Sequence, residues 1–232
     1  MRQVTMACVA ALVAAGSAVA APVQVTFDVE GLGSFTVELH DNTPLHRDNF
    51  VNYVTAGLYA DTIFHRSDSG NHVIQSGGYL HSTDPQYVVE DVPNIFGNVP
   101  YEGDVADSNV MMTLGAARST DPDSANSQWY INMADNSGWF DHQPGVPGYT
   151  VFGHVVDGWD VLLAIYGLDV WIFSGAFTAV PLHDSYTQAD YDSMMLPERD
   201  DFVTISGATI VPEPATLALL AAGALALVRR KR

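Results

Sequence analysis

The apolar residues between positions 22 and 206 come in short runs, which glycine, proline, asparagine and aspartate separate. Within residues 23–29 and again within residues 35–39, apolar and polar residues alternate, with Gly31 and Gly33 between the two runs. A period of two places every second side chain on the same face of a strand, so the two runs predict an antiparallel hairpin with one buried face. A chain made of such segments favours a sheet or barrel over a helical bundle.

Two segments have the features of amphipathic helices. The first begins at Thr43 and Pro44, a capping residue followed by a proline suited to the first helical turn, and it ends before Gly57. The second is predicted to begin at Asp157, which can cap a helix N-terminus, and its apolar residues include Val161. Two helices among many short strands predict an α+β, mainly β, barrel-like domain.

Length and composition agree with one domain of ordinary size. The chain has 232 residues, of which 47% are hydrophobic, enough to fill a core and to argue against wholesale disorder. Cys8 is the only cysteine, which excludes an intrachain disulfide and a cysteine-based zinc site.

The N-terminus has the three parts of a secretory signal peptide. Arg2 is followed by an apolar stretch over residues 4–15, and Ala18 and Ala20 form a small-x-small cleavage site. We therefore interpret residues 1–20 as a signal peptide, with signal peptidase as a partner and the folded domain beginning at residue 21.

The C-terminus combines Pro212, Glu213 and Pro214 with fourteen apolar or small residues, 215–228, and four terminal cations. It resembles the PEP-CTERM sorting tag of bacterial surface proteins; a buried core helix is the alternative interpretation of the apolar run. For residues 208–232 the resemblance implies transient retention in the inner membrane through 215–228, then removal by an exosortase-type enzyme. It implies export to the periplasm, cell envelope or extracellular matrix.

The charge of the remaining chain excludes a class of partners. The chain has 27 acids, and since only Glu213 lies outside residues 21–211, that segment keeps 26 acids against four arginines, a net charge of −22. Such a charge repels phosphate backbones and anionic membranes, so no nucleic-acid partner is expected. We expect a monomer.

Several blocks in fixed order carry the most specific information. The first two are Ile63-Phe64-His65-Arg66 and Val73-Ile74-Gln75-Ser76-Gly77-Gly78, and the third is Ser127-Gln128-Trp129-Tyr130-Ile131-Asn132. Trp139-Phe140-Asp141 and Tyr149-Thr150-Val151-Phe152-Gly153 follow. In order and spacing these blocks resemble the cyclophilin family of peptidyl-prolyl cis-trans isomerases over about residues 22–206.

The resemblance implies a fold and a set of site residues. The fold would be a closed eight-stranded antiparallel barrel capped by two helices, over residues 21–207. Arg66 and Gln75 would be catalytic, and ten further residues would bind substrate: His72, Val73, Ala116, Ala117, Arg118, Gln128, Tyr130, Trp139, Phe140 and Tyr149. The substrates would be proline-containing segments of exported proteins, and neither a metal nor an organic cofactor is implied.

The chemistry suits these residue types. Rotation about an X-Pro bond faces a barrier of about 18–20 kcal/mol because resonance stiffens the C–N bond. An arginine can donate hydrogen bonds to the twisted amide and so favour it over the planar one, with no covalent intermediate. The alternatives from the residues alone are a surface ion pair for Arg66, a buried amide for Gln75 and ordinary core for the aromatic residues.

Two departures from the family pattern predict an isomerase of reduced activity. Residues 67–72 are polar where the family has an apolar loop, and His72 and Ala116 stand where a phenylalanine and a methionine are usual. A catalytically silent domain that binds proline-containing segments is the competing hypothesis, and a structural matrix component is a third. Residues 167–201 are predicted to form an insertion before a closing strand near residues 202–206.

Overall fold

The computed structural model describes residues 22–82 and 88–212. The predicted signal peptide and most of the predicted sorting segment lie outside the described residues. The strands are β1 (Gln24–Val29), β2 (Gly33–Leu39), β3 (Thr62–Ile63), β4 (Arg66–Asp68), β5 (Val73–Ser76), β6 (Tyr79–His81), β7 (Val89–Asp91), β8 (Thr113–Ala116), β9 (Trp129–Asn132), β10 (Val151–Asp157), β11 (Val170–Trp171), β12 (Val180–Pro181) and β13 (Thr204–Val211). The helices are α1 (Pro44–Thr55), α2 (Ser137–Phe140), α3 (Trp159–Tyr166) and α4 (Gln188–Asp192), with a 3-10 turn at Arg199–Asp201.

The hairpin and both predicted helices are present. β1 and β2 pair in register from Gln24↔Glu38 to Val29↔Gly33. Helix α1 has its proline in the first turn. Helix α3 is capped by Gly158 rather than by the predicted Asp157, because the chain enters the helix through a left-handed residue (φ 74°), a conformation that glycine adopts without strain. Across the described ranges, no helix combines the length and the apolar character needed to cross a membrane.

Eleven of the strands form one antiparallel, curled sheet, with β4 at one edge and β7 at the other, and β11 and β12 pair separately. Its order is β4-β5-β9-β8-β10-β2-β1-β13-β3-β6-β7. In this order the sheet is open and has eleven strands, so the predicted closed eight-stranded barrel is not confirmed. Phe64 and His65 carry the chain from β3, which pairs with β13, to β4, which pairs with β5: the amide of Phe64 donates to Val203 O (3.0 Å) and that of His65 to Gln75 O (3.1 Å).

The main core lies between this sheet and helices α1 and α3. Trp129 is only 1% exposed, and its ring lies 5.2 Å from that of Phe27 and 5.8 Å from that of Phe64. Helix α1 contributes Phe50 and Tyr53 to the same cluster. The Trp129 side chain of β9 therefore lies at the centre of the core.

The segment 167–201 folds over the β4 edge of the sheet. It contains β11, β12 and α4, and with Ile63 and Phe202 it forms a second apolar cluster. The amide of Ser67 in β4 donates to Ala179 O at 2.7 Å, so β4 has a backbone partner on both sides. Beyond this segment, β13 stays paired with β1 as far as Gln24↔Val211, so the sheet continues past the predicted domain boundary at 207.

Candidate active site

Residues from three distant parts of the sequence form one row across the sheet. Arg66 in β4 pairs with Gln75 in β5, and Gln75 pairs with Tyr130 in β9. Gly115 in β8 lies opposite Tyr130 at the end of the row. Directly paired residues in an antiparallel sheet present their side chains on the same face, so the register itself brings Arg66, Gln75 and Tyr130 together.

A cleft of about 310 Å³ lies over this row. All of its lining residues except Asn71 were predicted from the sequence: Arg66, Asn71, Val73, Gln75, Ala117, Arg118, Tyr130, Phe140 and Tyr149. The lining combines the guanidinium groups of Arg66 and Arg118 with two side-chain amides and three aromatic rings.

The aromatic side is a cluster of three rings. Phe140 lies 5.7 Å from Tyr130 and 5.0 Å from Tyr149, measured between ring centroids, and Tyr130 lies 6.1 Å from Tyr149. The guanidinium of Arg118 lies over the Tyr149 ring at 4.5 Å and donates to the carbonyls of Pro147 and Gly148. Arg118 therefore stabilises the position of the loop that carries Tyr149.

The polar side places donors next to an apolar wall. The Gln75 side chain donates from Nε2 to Gln128 Oε1 at 2.8 Å, so the two amides fix one another's orientation. The Arg66 side chain is 34% exposed and pairs through Nη2 with the carboxylate of Asp68. The cleft can therefore present a cation to a carbonyl or amide group held against the rings.

Comparison with known proteins identifies the family. The model of the family described as cyclophilin type peptidyl-prolyl cis-trans isomerase/CLD matches residues 24–172, more than half of the chain. The chain belongs to the cyclophilin family. A second model, the PEP-CTERM protein-sorting motif, matches residues 211–232.

Several relatives and solved structures resemble this cyclophilin. It is 39% identical over 130 residues to peptidyl-prolyl cis-trans isomerase A of Dickeya dadantii, covering 56% of this chain and 64% of that protein. It is 34% identical over 154 residues to isomerase B of Escherichia coli, covering 62% and 84%. A Cryptosporidium parvum cyclophilin type isomerase, crystallised in the presence of the dipeptide Ala-Pro, shares the fold with a TM-score of 0.55 at 19% identity, covering 82% of this chain and 99% of that one. The match thus spans just under two thirds of the Dickeya protein's length.

Three residues expected in the substrate site of the cyclophilin lie elsewhere. His72 has a left-handed backbone (φ 49°), is exposed, and its Nδ1 lies 3.0 Å from the Tyr166 hydroxyl, so it does not replace the family's phenylalanine in the cleft. Ala116 is buried opposite Trp129 and does not line the cleft. Trp139 is 87% exposed on the short helix α2 and lies outside the lining.

Gln128, in contrast, reaches the site indirectly. It is absent from the lining of the cleft and acts on it through its hydrogen bond to Gln75. In the portion of the chain that the structure describes, no group of three or more histidine, cysteine, aspartate or glutamate side chains is arranged to hold a metal ion.

Asn109 supports the aromatic side of the cleft, and sequence reasoning missed it. Its Oδ1 accepts from the Tyr130 hydroxyl at 2.7 Å, and its Nδ2 donates to Tyr149 O at 3.2 Å and to Asp141 Oδ1 at 3.0 Å. Asn109 is fully buried, so this network holds both tyrosines in place. Burial raises the pKa of Tyr130 well above its usual value, which keeps the hydroxyl protonated as the donor. A single asparagine in a loop carries no sequence pattern that would have singled it out.

Gly115 leaves the space that the Tyr130 ring occupies. A Cβ at position 115 would lie 2.2 Å from Tyr130 Cζ, far inside contact distance. We expect Gly115→Ala to displace the ring and to lower kcat/KM for an Ala-Pro peptide about tenfold, because overpacking of this kind costs about 1–3 kcal/mol. Gly207→Ala is the control, since a Cβ there meets nothing within 4 Å; equal losses in both variants would contradict the prediction.

His65 predicts a pH-dependent stability. The side chain is 2% exposed, and burial together with the neighbouring Arg66 charge lowers the pKa of His65 to about 4. An unfolded histidine has a pKa of about 6.5, so between those values the unfolded chain binds a proton that the folded chain does not. Stability is therefore retained above pH 6.5 and falls as the pH drops towards 4, by about 3 kcal/mol in total.

Urea unfolding at pH 7, 5.5 and 4 checks this, with His65→Gln expected to flatten the acid side of the profile. His183→Gln serves as the matched control because His183 is partly exposed. If the free energy of unfolding fell equally steeply towards pH 4 in His65→Gln, other groups would be responsible for the pH dependence.

Proposed function

We propose that this chain is an active peptidyl-prolyl cis-trans isomerase that rotates X-Pro bonds in exported proteins. The observation that carries the proposal is the juxtaposition, in one cleft, of the Arg66 guanidinium with the three rings of Tyr130, Phe140 and Tyr149. A separate cavity of about 390 Å³ has no cation in its lining that could serve the same reaction; its lining residues are Phe173, Tyr186, Tyr191, Asp192, Met194, Met195 and Leu196.

The geometry supports catalysis by rotation alone. The rings can hold the proline, while Arg66 donates towards the carbonyl oxygen and the developing lone pair of the nitrogen. Planarity is lost in the transition state, so a donor placed for the twisted amide lowers the barrier without a covalent step. Gln75, oriented by Gln128, supplies a further polar contact beside the arginine. The reaction requires no metal or organic cofactor.

The processing of the chain belongs to the same proposal. Residues 1–20 act as a signal peptide, and residues 208–232 act as a sorting segment that an exosortase-type enzyme removes after retention in the inner membrane. The mature protein then works as a monomer in the cell envelope, the periplasm or the extracellular matrix. The PEP-CTERM motif at 211–232 and the net charge of −22 over residues 21–211 support this assignment.

A protease-coupled isomerisation assay on an Ala-Pro peptide tests the activity. We expect the purified protein to accelerate cis-to-trans conversion in proportion to its concentration. A well-folded sample that leaves the uncatalysed rate unchanged would contradict catalysis. Binding of a proline-containing peptide in that same sample would support the silent binding module, for which the polar Asn71 in the cleft lining is the favouring observation.

A further inference from the structure

Asp68 lies two residues beyond Arg66 in the same strand, β4. Residues i and i+2 of a strand share a face, which brings the two side chains together. Nη2 of Arg66 donates to Oδ2 of Asp68. Within residues 22–82 and 88–212, Asp68 is the only ion-pair partner of Arg66, and it is a near neighbour in sequence.

The Asp68 carboxylate is itself fixed by the loop that follows. Its Oδ1 accepts from the backbone amides of Gly70 (2.8 Å) and Asn71 (3.1 Å), and its Oδ2 accepts from Asn71 Nδ2 at 2.9 Å. Burial raises the pKa of Asp68, but the Asn71 amide and Arg66 outweigh burial, so the pKa is lowered and the group is charged at neutral pH. Four donors, including Arg66, therefore hold a charged carboxylate in one orientation.

The ion pair occupies one of the three guanidinium nitrogens, Nη2. Nε is buried and has no hydrogen-bond partner within the described part of the chain. Nη1 makes no hydrogen bond there either, which leaves it as the terminal nitrogen without a partner. The backbone of β4 is also held on both sides, by β5 and by Ala179. An arginine side chain has many rotamers, so anchoring one edge of its planar fork restricts where the other edge can point.

We propose that Asp68 is a positioning residue, which anchors Nη2 of the Arg66 guanidinium so that Nη1 faces the twisted amide of the substrate. The proposal rests on the isomerase function proposed above. The loop 67–72, polar where the family pattern is apolar, thereby has a role: it turns the chain back so that its own amides fix Asp68. Misplacement of a catalytic group by about 1 Å can cost up to about 100-fold in rate.

The test compares Asp68→Ala and Asp68→Glu with the unmodified full chain on an Ala-Pro peptide. We expect Asp68→Ala to lower kcat about tenfold while KM changes less than about twofold, because the group acts on the transition state rather than on binding. Asp68→Glu keeps a carboxylate within reach of the guanidinium and is expected to recover most of the loss. Asp48→Ala is the matched control, since it removes the acid of an exposed ion pair with Arg47 on α1.

A double variant separates positioning from a general loss of structure. In the Arg66→Ala background, Asp68→Ala should leave the residual rate unchanged, because Asp68 acts through Arg66. An equal further loss in that background, or an Asp68→Ala single variant with unchanged or raised kcat, would overturn the positioning role. An unmodified chain without isomerase activity would instead overturn the proposed function, and this inference with it.

Discussion

Arg66→Ala is expected to lower kcat/KM for an Ala-Pro peptide by about 10²–10³-fold, equivalent to about 2.7–4 kcal/mol of lost transition-state stabilisation. Arg66 lines the cleft beside Gln75, whereas the other cation of the lining, Arg118, already donates to the carbonyls of Pro147 and Gly148, so the removal of Arg66 takes away the charged donor for the twisted amide. The fold should survive, because the Arg66 side chain is 34% exposed and Asp68 keeps its three donors from Gly70 and Asn71. The measurement is the protease-coupled rate together with far-ultraviolet circular dichroism.

Two further variants sharpen this test. Arg66→Lys keeps the charge but loses the planar fork, so it should restore only part of the activity. Arg47→Ala removes a surface arginine that pairs with Asp41 and Asp48, and it should retain full activity. A folded Arg66→Ala protein with an undiminished rate would refute the catalytic assignment.

Trp129→Ala is expected to have the largest effect on stability, a loss of about 3–5 kcal/mol in the free energy of unfolding. The ring is 1% exposed and lies at the centre of the cluster that includes Phe27, Phe35 and Phe64. Its removal leaves a cavity in the core. Because Trp129 lies between Gln128 and Tyr130 in the chain, the side chains of the cleft should also be held less firmly. Thermal unfolding should show a Tm lower by about 10 °C.

Trp139→Ala is the matched control for this stability prediction. The same substitution at a side chain that is 87% exposed should change the free energy of unfolding by less than about 0.5 kcal/mol. Equal Tm values for the two variants would show that the ring cluster around Trp129 does not dominate the core.

Short-range sequence patterns predicted the strands and helices that neighbouring residues determine. The alternation before and after Gly31 and Gly33 corresponds to β1 and β2, and the proline at 44 begins α1. Helices α2 and α4 were not predicted, because four and five residues are too few to show a helical period. The strand order also could not be predicted, since the edges at β4 and β7 depend on which strands meet in space.

The sequence by itself determined the family, the hairpin, the two longer helices and most of the cleft residues, because ordered motifs and short-range periodicity encode them. Tertiary structure alone decided that Asn109 reaches Tyr130, that the loop after Asp68 folds back onto its carboxylate, and that His72 turns towards Tyr166. Each of these depends on strand register or on a left-handed backbone residue, and neither is specified by the identities of neighbouring residues along the chain.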